Sequence, residues 1–325
     1  MLSSHLDATL CTADQTSMAN RDGYGSGLLE AGKRDSAVVA LAADLTESTR
    51  TNIFADEFPE RFIQVGISEQ NMASVASGMA AMGKVPFMAS YAMFSPGRNW
   101  EQIRTTIAYN DANVKIVGAH AGISVGPDGA THQAIEDIAL MRVLPNMIVL
   151  APCDVHEARK ATVWAAQHEG PVYIRVGRSA TPVVTTPESP FMVGEAMPLF
   201  QVDNPVVTIF VTGTMSYEAL VAAKYLTEKG IATNVTHMAT IKPLDTEALQ
   251  AAAKQSALLV TLEEHQMIGG FGGAVAEYIA SETPVRVLRI GIDDRFGQSG
   301  EPAELLREYE IDSQSVIRKI EKALG

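Results

Sequence analysis

Short apolar runs alternate with longer helical patterns along almost the whole chain, and this alternation restricts the fold more than any other feature. The runs AVVALAA (Ala37 to Ala43), FIQV (Phe62 to Val65), VPFMAS (Val85 to Ser90), VKIVGA (Val114 to Ala119), MIVLA (Met147 to Ala151) and VYIRV (Val172 to Val176) have the length of strands. Helical patterns lie between them near Tyr24 to Lys33, Ser68 to Met82, Gly97 to Tyr109, His132 to Val143 and Val155 to His168. Such an order predicts an α/β fold: a mostly parallel sheet covered by helices on both faces, with ligands at the carboxyl ends of its strands.

The rhythm breaks between Arg178 and Pro198, where four prolines stand in a polar context that neither a helix nor a central strand accepts. Beyond it the alternation resumes with VVTIFVT (Val206 to Thr212), a helix over Ser216 to Lys229, ATNVTHM, ALLVTLEE (Ala257 to Glu264) and VRVLRIG, closed by helices near Glu301 to Tyr309 and Ser313 to Leu324. The expected organisation is an N-terminal tail at 1–17, a first domain at 18–180, a linker at 181–198 and a smaller α/β domain at 199–325. The glycines of IGGFGG (Gly269, Gly270, Gly272, Gly273) miss the G-x-G-x-x-G register, so they predict a tight turn and close helix packing rather than a nucleotide cradle. His265, just before them, reads as structural.

Composition then removes whole classes of function. With 325 residues, 46% of them hydrophobic, the chain can bury a large core. A formal charge of −13 opposes nucleic acid and anionic membranes, so any anionic ligand has to be met locally. Cys11 and Cys153 fit no paired spacing, which points to neither a disulfide framework nor a zinc site and makes a reduced, cytoplasmic setting the default. The N-terminus lacks the pattern of a signal peptide, and no run is long and apolar enough to span a bilayer, so a soluble protein is expected.

Two segments carry candidate chemistry. GISEQNM (Gly66 to Met72) starts a helix rich in small residues, with Glu69 in its first turn. Ser68 as cap and Glu69 near the positive helix end would account for the residues without any function. The strand-like FIQVGI before it and the small residues after it suggest instead a carboxyl in close-packed surroundings. The loop GAHAGISVGPDGATHQAIED (Gly118 to Asp137) leaves a strand end with His120, Asp128 and His132 among four glycines. No fourth ligand accompanies them, so sugar recognition suits them better than a metal, with Arg178 available as a bidentate phosphate partner.

Together with ALAADLTEST, FPERFIQVGISEQNMASVASGMAAMGKVPF, ASYAMF and VYIRVGRS, these segments resemble the pyrimidine-binding domain of transketolase, and the remainder from Pro198 resembles the transketolase C-terminal domain. The resemblance covers nearly the whole chain from about Met18. The Gly-Asp-Gly and downstream Asn that hold the diphosphate and Mg2+ of thiamine diphosphate in full-length relatives do not occur here. The resemblance thus implies the C-terminal section of a split transketolase, which moves a two-carbon ketol unit from a ketose to an aldose, both commonly phosphorylated. It would bind the pyrimidine part of the cofactor, with Mg2+ held by a partner chain that carries the diphosphate-binding domain. An assembly of two copies of each chain follows.

The same resemblance assigns roles. Glu69 would hydrogen-bond a ring nitrogen of the aminopyrimidine and favour its imino form, the catalytic base, with His132 as a second catalytic residue. Tyr91 and Phe94 would wall the pyrimidine, Ile67 and Leu45 would hold the cofactor bent, and Asp44 would lie close by at the subunit boundary. Ser48, His120, Asp128, His132 and Arg178 would face the sugar or its phosphate. The sequence departs from the family pattern at Gly97, where many relatives have a third aromatic, and at Ala121, where an acidic residue often follows the histidine. Arg98 stands where it can supply a charge beside the wall. The β subunit of a 2-oxoacid dehydrogenase and the C-terminal part of deoxyxylulose-phosphate synthase share the layout and the glutamate as alternatives, and a non-catalytic α/β binding module is an alternative of a different class. Finally, Ala73, Ala76, Ser77 and Ala80 recur at helical spacing on the helix from Ser68 to Met82, which marks it as a candidate subunit contact.

Overall fold

The computed structural model describes all 325 residues. Six of the predicted runs form parallel strands of one sheet, in spatial order Ile148–Leu150, Val172–Arg175, Lys115–Ala119, Val85–Tyr91, Val38–Ala42 and Phe62–Gln64. The central strands are buried along their whole length, so they read as continuous apolar runs rather than alternating ones. One apolar layer, with Tyr24, Phe54, Phe87 and Ile174, packs on one face. The other face meets a layer that includes Met72, Ile103 and Met141 from the first domain but also Phe210, Leu259 and Phe271 from the second. The hydrophobic interior is therefore continuous across the domain boundary.

The second domain is a five-stranded sheet, in the order Arg286–Ile292, Leu258–Gln266, Val207–Val211, Thr233–His237 and Met197–Phe200. Only the last strand runs antiparallel to its neighbour. A further strand, Thr240–Lys242, leaves this domain and pairs antiparallel with Ile148–Leu150, becoming the seventh strand and the edge of the first sheet. The short TIK run carries no strand signal of its own. The N-terminal segment is also tied down. Leu2 bridges to Phe200 and Leu6 to Thr185, and both Leu6 and Leu10 are buried in the apolar interior of the second domain.

The helices differ from expectation where glycine or function intervenes. The pattern from His132 yields helix only over Asp137–Arg142, because Gly122, Gly126 and Gly129 take positive φ and hold the preceding stretch as a folded loop. The pattern from Gly97 becomes one α-helical turn, Trp100–Gln102, running into a π-helix over Ile103–Ala108. Helix Asn52–Glu57 is not foreshadowed by any pattern. No helix is long and apolar enough to cross a membrane.

The helix Glu69–Ala81 turns its small residues inward. Ala73 and Ala76 are fully buried within the first domain, and Ser77 Oγ donates to Thr106 O of the π-helix at 2.7 Å. The stripe expected to meet another subunit is thus an intradomain contact, and the exposed face is the opposite one, with Gln70, Asn71, Ser74 and Gly78.

The glycine-rich turn behaves as a packing device. A Cβ on Gly270 would lie 2.2 Å from Glu263 Oε2, and one on Gly272 would lie 2.5 Å from Thr261 Oγ1. This close approach lets the Glu263 carboxylate accept from Phe271 N and Gly272 N, both at 2.7 Å, at the start of helix Phe271–Glu282. A carboxylate of the chain itself fills the position a phosphate would take.

Candidate active site

The strand order reverses between Val38–Ala42 and its neighbours, which opens a crevice beyond the carboxyl ends of the strands. Every expected site residue ends or follows a strand there. Asp44, Leu45 and Ser48 come after Val38–Ala42; Ile67 and Glu69 after Phe62–Gln64; Tyr91 ends Val85–Tyr91 and Phe94 follows it. His120, Asp128 and His132 follow Lys115–Ala119, and Arg178 follows Val172–Arg175.

Glu69 is 1% exposed, and the capping account of it fails on geometry. Ser68 makes no side-chain cap; its Oγ donates to Val65 O at 2.7 Å. The Glu69 side chain instead meets Arg98, whose Nη1 donates to Oε2 at 2.9 Å. Asn99 Nδ2 donates to the Glu69 backbone carbonyl and fixes the helix start. Arg98 also lies over the Phe94 ring, 4.9 Å from its centroid, so one guanidinium spans the carboxylate and the aromatic wall. The neighbouring Gly97 has no room for a side chain, since a Cβ would lie 2.0 Å from Met93 O. A third aromatic cannot stand here on this backbone.

Aromatic rings join the strand ends. Tyr91 stacks on His120 with centroids 3.8 Å apart and on Phe94 at 6.1 Å, while His132 meets Phe94 edge-on at 5.5 Å. His120 is buried, takes a positive φ of 55° and has no partner for Nδ1, a strained and unsatisfied placement of the kind that accumulates at functional sites. Burial, reinforced by the guanidinium groups of Arg21, Arg178 and Arg50, pushes its imidazole down to about 3, so it is neutral at physiological pH.

Those arginines include two that sequence reading missed. Arg21 Nη1 donates to Ser48 O at 2.7 Å and lies 3.4 Å from His120 Nε2, and its buried Nε has no partner. Arg50 is held by Asp22 at 2.6 Å. Arg178 donates to Val125 O at 2.9 Å. Arg21, Arg50 and Arg178 thus all bring positive charge to bear on His120, an arrangement that suits an anion. Nothing near Arg21 in sequence signals this, because its partner His120 lies 99 positions away.

The remaining residues are placed more loosely. Ser48 and Leu45 are half-buried, Asp44 is exposed with its N–H donating to Gln64 Oε1, and Ile67 is 72% exposed. Asp128 is exposed, and His132 Nδ1 pairs with Thr131 Oγ1 at 2.9 Å. His120, Asp128 and His132 do not come together as a metal-binding trio. Ala121 is buried against Ala92 and Ala134, in an apolar niche unsuited to an acidic side chain. The loop is held by Gln133, whose Nε2 donates to Ile123 O, Gly126 O and Gln298 O, and by Glu264, which accepts from Ser124 N. Second-domain groups therefore position first-domain site residues.

Residues 16–184 match the family model for the transketolase pyrimidine-binding domain, and residues 199–316 match that for the transketolase C-terminal domain. The chain belongs to the transketolase family. It is 47% identical over 303 residues to a protein named as a transketolase C-terminal section from Methanocaldococcus jannaschii, covering 92% of this chain and 94% of the relative. It is 38% identical to the 6-deoxy-6-sulfo-D-fructose transketolase subunit of a Clostridium species, covering 92% of each chain. With one of the subunits of the apulose-4-phosphate transketolase of Phocaeicola vulgatus it shares 37% identity, covering 93% of this chain and 96% of that one. Among solved structures, a split-gene transketolase described as an inactive β4 tetramer superposes with a TM-score of 0.86 at 44% identity, over 95% of this chain and 99% of that one. Transketolase family membership implies binding of thiamine diphosphate.

Proposed function

We propose that this chain is the C-terminal subunit of a two-chain transketolase, transferring a two-carbon ketol unit from a ketose to an aldose once a partner chain supplies the diphosphate- and Mg2+-binding domain. The observation that carries the proposal is Glu69: a buried carboxylate at a helix start, near an aromatic wall whose Tyr91 stacks on a histidine flanked by three guanidinium groups. These residues fit a thiamine pyrimidine. Tyr91 and Phe94 offer an apolar wall, Leu45 and Ile67 line the approach, Asp44 stands at the rim, and Glu69 offers a carboxylate to a ring nitrogen. When bound, thiamine diphosphate supplies the stabilised carbanion that cleavage of a ketose requires.

The rest of the chemistry belongs to the chain's own side chains. Glu69 would offer its carboxyl to a nitrogen of the pyrimidine ring, and Arg98, which donates to its Oε2, would withdraw from or share that oxygen. Neutral His120 and half-buried His132 hydrogen-bond sugar hydroxyls, with His132 placed to move a proton at the reacting carbon's oxygen, and Asp128 orients a further hydroxyl. Arg21, Arg178 and Ser48 meet a tetrahedral anion at the far end of the sugar. Relatives named for a sulfonated sugar and for a phosphorylated one are consistent with such a subsite, since guanidinium recognises either group. Self-association without the partner also fits, given the β4 assembly of the split-gene neighbour. We place the working assembly at two copies of each chain.

The test combines this chain with a diphosphate-binding transketolase chain and follows ketol transfer with thiamine diphosphate, Mg2+ and pairs of phosphorylated or free sugars. Turnover is expected only in the mixture. Glu69→Gln should lower the rate about 10²- to 10⁴-fold with assembly intact. Full activity of the chain alone, or an unchanged Glu69→Gln rate, would overturn the proposal.

A further inference from the structure

The segment that carries His120 rests on the second domain rather than on its own. Ile123 and Ile135 are buried in the apolar interior of the second domain, in one cluster with Val211, Leu262 and Leu305. Between them the backbone makes the short helical turn Ile123–Val125. One side chain of the second domain reaches this turn: Glu264, near the end of strand Leu258–Gln266. It is 3% exposed; its Oε1 accepts from Ser124 N at 2.5 Å, and Thr214 Oγ1 lies 3.4 Å from its Oε2. The fit leaves no slack, since Gly122 takes a φ of 89° and a Cβ there would stand 2.4 Å from the carboxyl carbon of Glu264.

The same turn touches the guanidinium of Arg178. Ser179 Oγ donates to Ser124 O and Arg178 Nη1 donates to Val125 O, both at 2.9 Å. Ser124 is thus gripped at its amide by Glu264 and at its carbonyl by Ser179. Glu264 is itself fastened to the first domain through its backbone. Arg175 Nη2 donates to Glu264 O at 2.8 Å, while Arg175 Nε donates to Asp137 Oδ2 at 2.9 Å. Arg175 ends the strand that leads to Arg178, and Asp137 begins the helix that follows the loop. This ion pair is 8% and 1% exposed, so losing either partner would strand a buried charge.

We infer, on the reading of Arg21, Arg178 and Ser48 as an anion subsite, that Glu264 is a positioning residue for that subsite: by holding Ser124 N from the second domain it sets where Val125 O, and with it the Arg178 guanidinium, and the neighbouring His120 stand. The second domain, which supplies none of the side chains expected at the cofactor or the sugar, thereby acquires a task in anion recognition. What the position demands is reach and an acceptor oxygen, not charge. A shorter side chain leaves a buried N–H unpaired, and the turn then gains by moving toward water.

The experiment uses the full chain, with inorganic phosphate as the probe, and two variants that separate reach from charge. Glu264→Asp keeps the charge and loses the reach. Glu264→Gln keeps the reach, since its amide oxygen can accept from Ser124 N while its NH2 faces Thr214 Oγ1. Phosphate affinity, read by calorimetry, should fall at least about tenfold in Glu264→Asp and stay within about threefold of the parent in Glu264→Gln. Hydrogen exchange at Ser124 N, which needs no phosphate, should quicken at least about tenfold in the first variant and not in the second. A folded Glu264→Asp chain with parental exchange and parental affinity overturns the inference. So does a folded Glu264→Gln chain that loses affinity tenfold, a result that decides the matter even where Glu264→Asp does not fold. A parent chain that binds no phosphate, with Ser124 exchange responding as expected, refutes the anion subsite and leaves the hold of Glu264 on the turn standing.

Discussion

At the scale of single residues, the site is governed by how His120 is kept neutral. Burial comes first, then the guanidinium groups of Arg21, Arg178 and Arg50. An anion bound among the same guanidiniums should reverse part of that effect. We expect the His120 ring, followed by NMR, to stay neutral between about pH 5 and 8 and to protonate at higher pH once inorganic phosphate is added. Arg178→Ala should raise it as well; a ring titrating near 6.5 with and without phosphate would show that no such cluster acts on it. The stability consequence has a definite sign. His120, like His265 at about 4, has a folded value below its unfolded one, so the unfolded chain takes up protons that the folded chain refuses. Both contributions are present above about pH 6.5 and are lost as pH falls toward 3–4. Sequence carried Glu69 and the histidine loop because each sits in a dense local pattern. It did not carry Arg21, Arg50 or the partnership of Glu264 with Ser124, which join residues far apart in the chain.

Elements were legible to the extent that their apolar period was uninterrupted. The six strands of the first sheet emerge where expected, while the helix expected from His132 shrinks to Asp137–Arg142 because a loop stitched by Gln133 and Glu264 outcompetes it. The period of helix Glu69–Ala81 is plain in the sequence, but period alone does not say which neighbour a face meets. The glycine turn before helix Phe271–Glu282 is the opposite case, since its failed register already spoke for packing. There Glu263 is buried and raised to about 7, chiefly by that burial, and both its oxygens accept amide hydrogens. Glu263→Gln places an NH2 against one of those amides. A loss of about 1–3 kcal/mol is expected, measurable by denaturant unfolding. No change would mean that the turn is held by its glycines alone.

At the scale of the whole molecule, the expected tail and linker carry part of the structure. Leu6 and Leu10 enter the interior of the second domain, a placement sequence did not reveal because the segment folds as turns and isolated bridges rather than as a helix or strand. Leu10 is 3% exposed, so Leu10→Ala should cost about 2–5 kcal/mol, read as a lowered unfolding midpoint of the entire chain. If only a local transition moved while the main one stayed, the segment would be an appendage. The continuous apolar layer on one face of the first sheet argues for a single transition, since residues of both domains fill it.

The strand Thr240–Lys242 ties the two halves together alongside their shared apolar layer. Severing the chain at the proline-rich connector would leave Ile148–Leu150 with a bare row of amides and carbonyls, ready to recruit a strand from another molecule. Anyone dividing this protein into pieces, or grafting its first half onto a foreign scaffold, would thus make an adhesive fragment unless the graft supplied three residues of extended chain to close that seam.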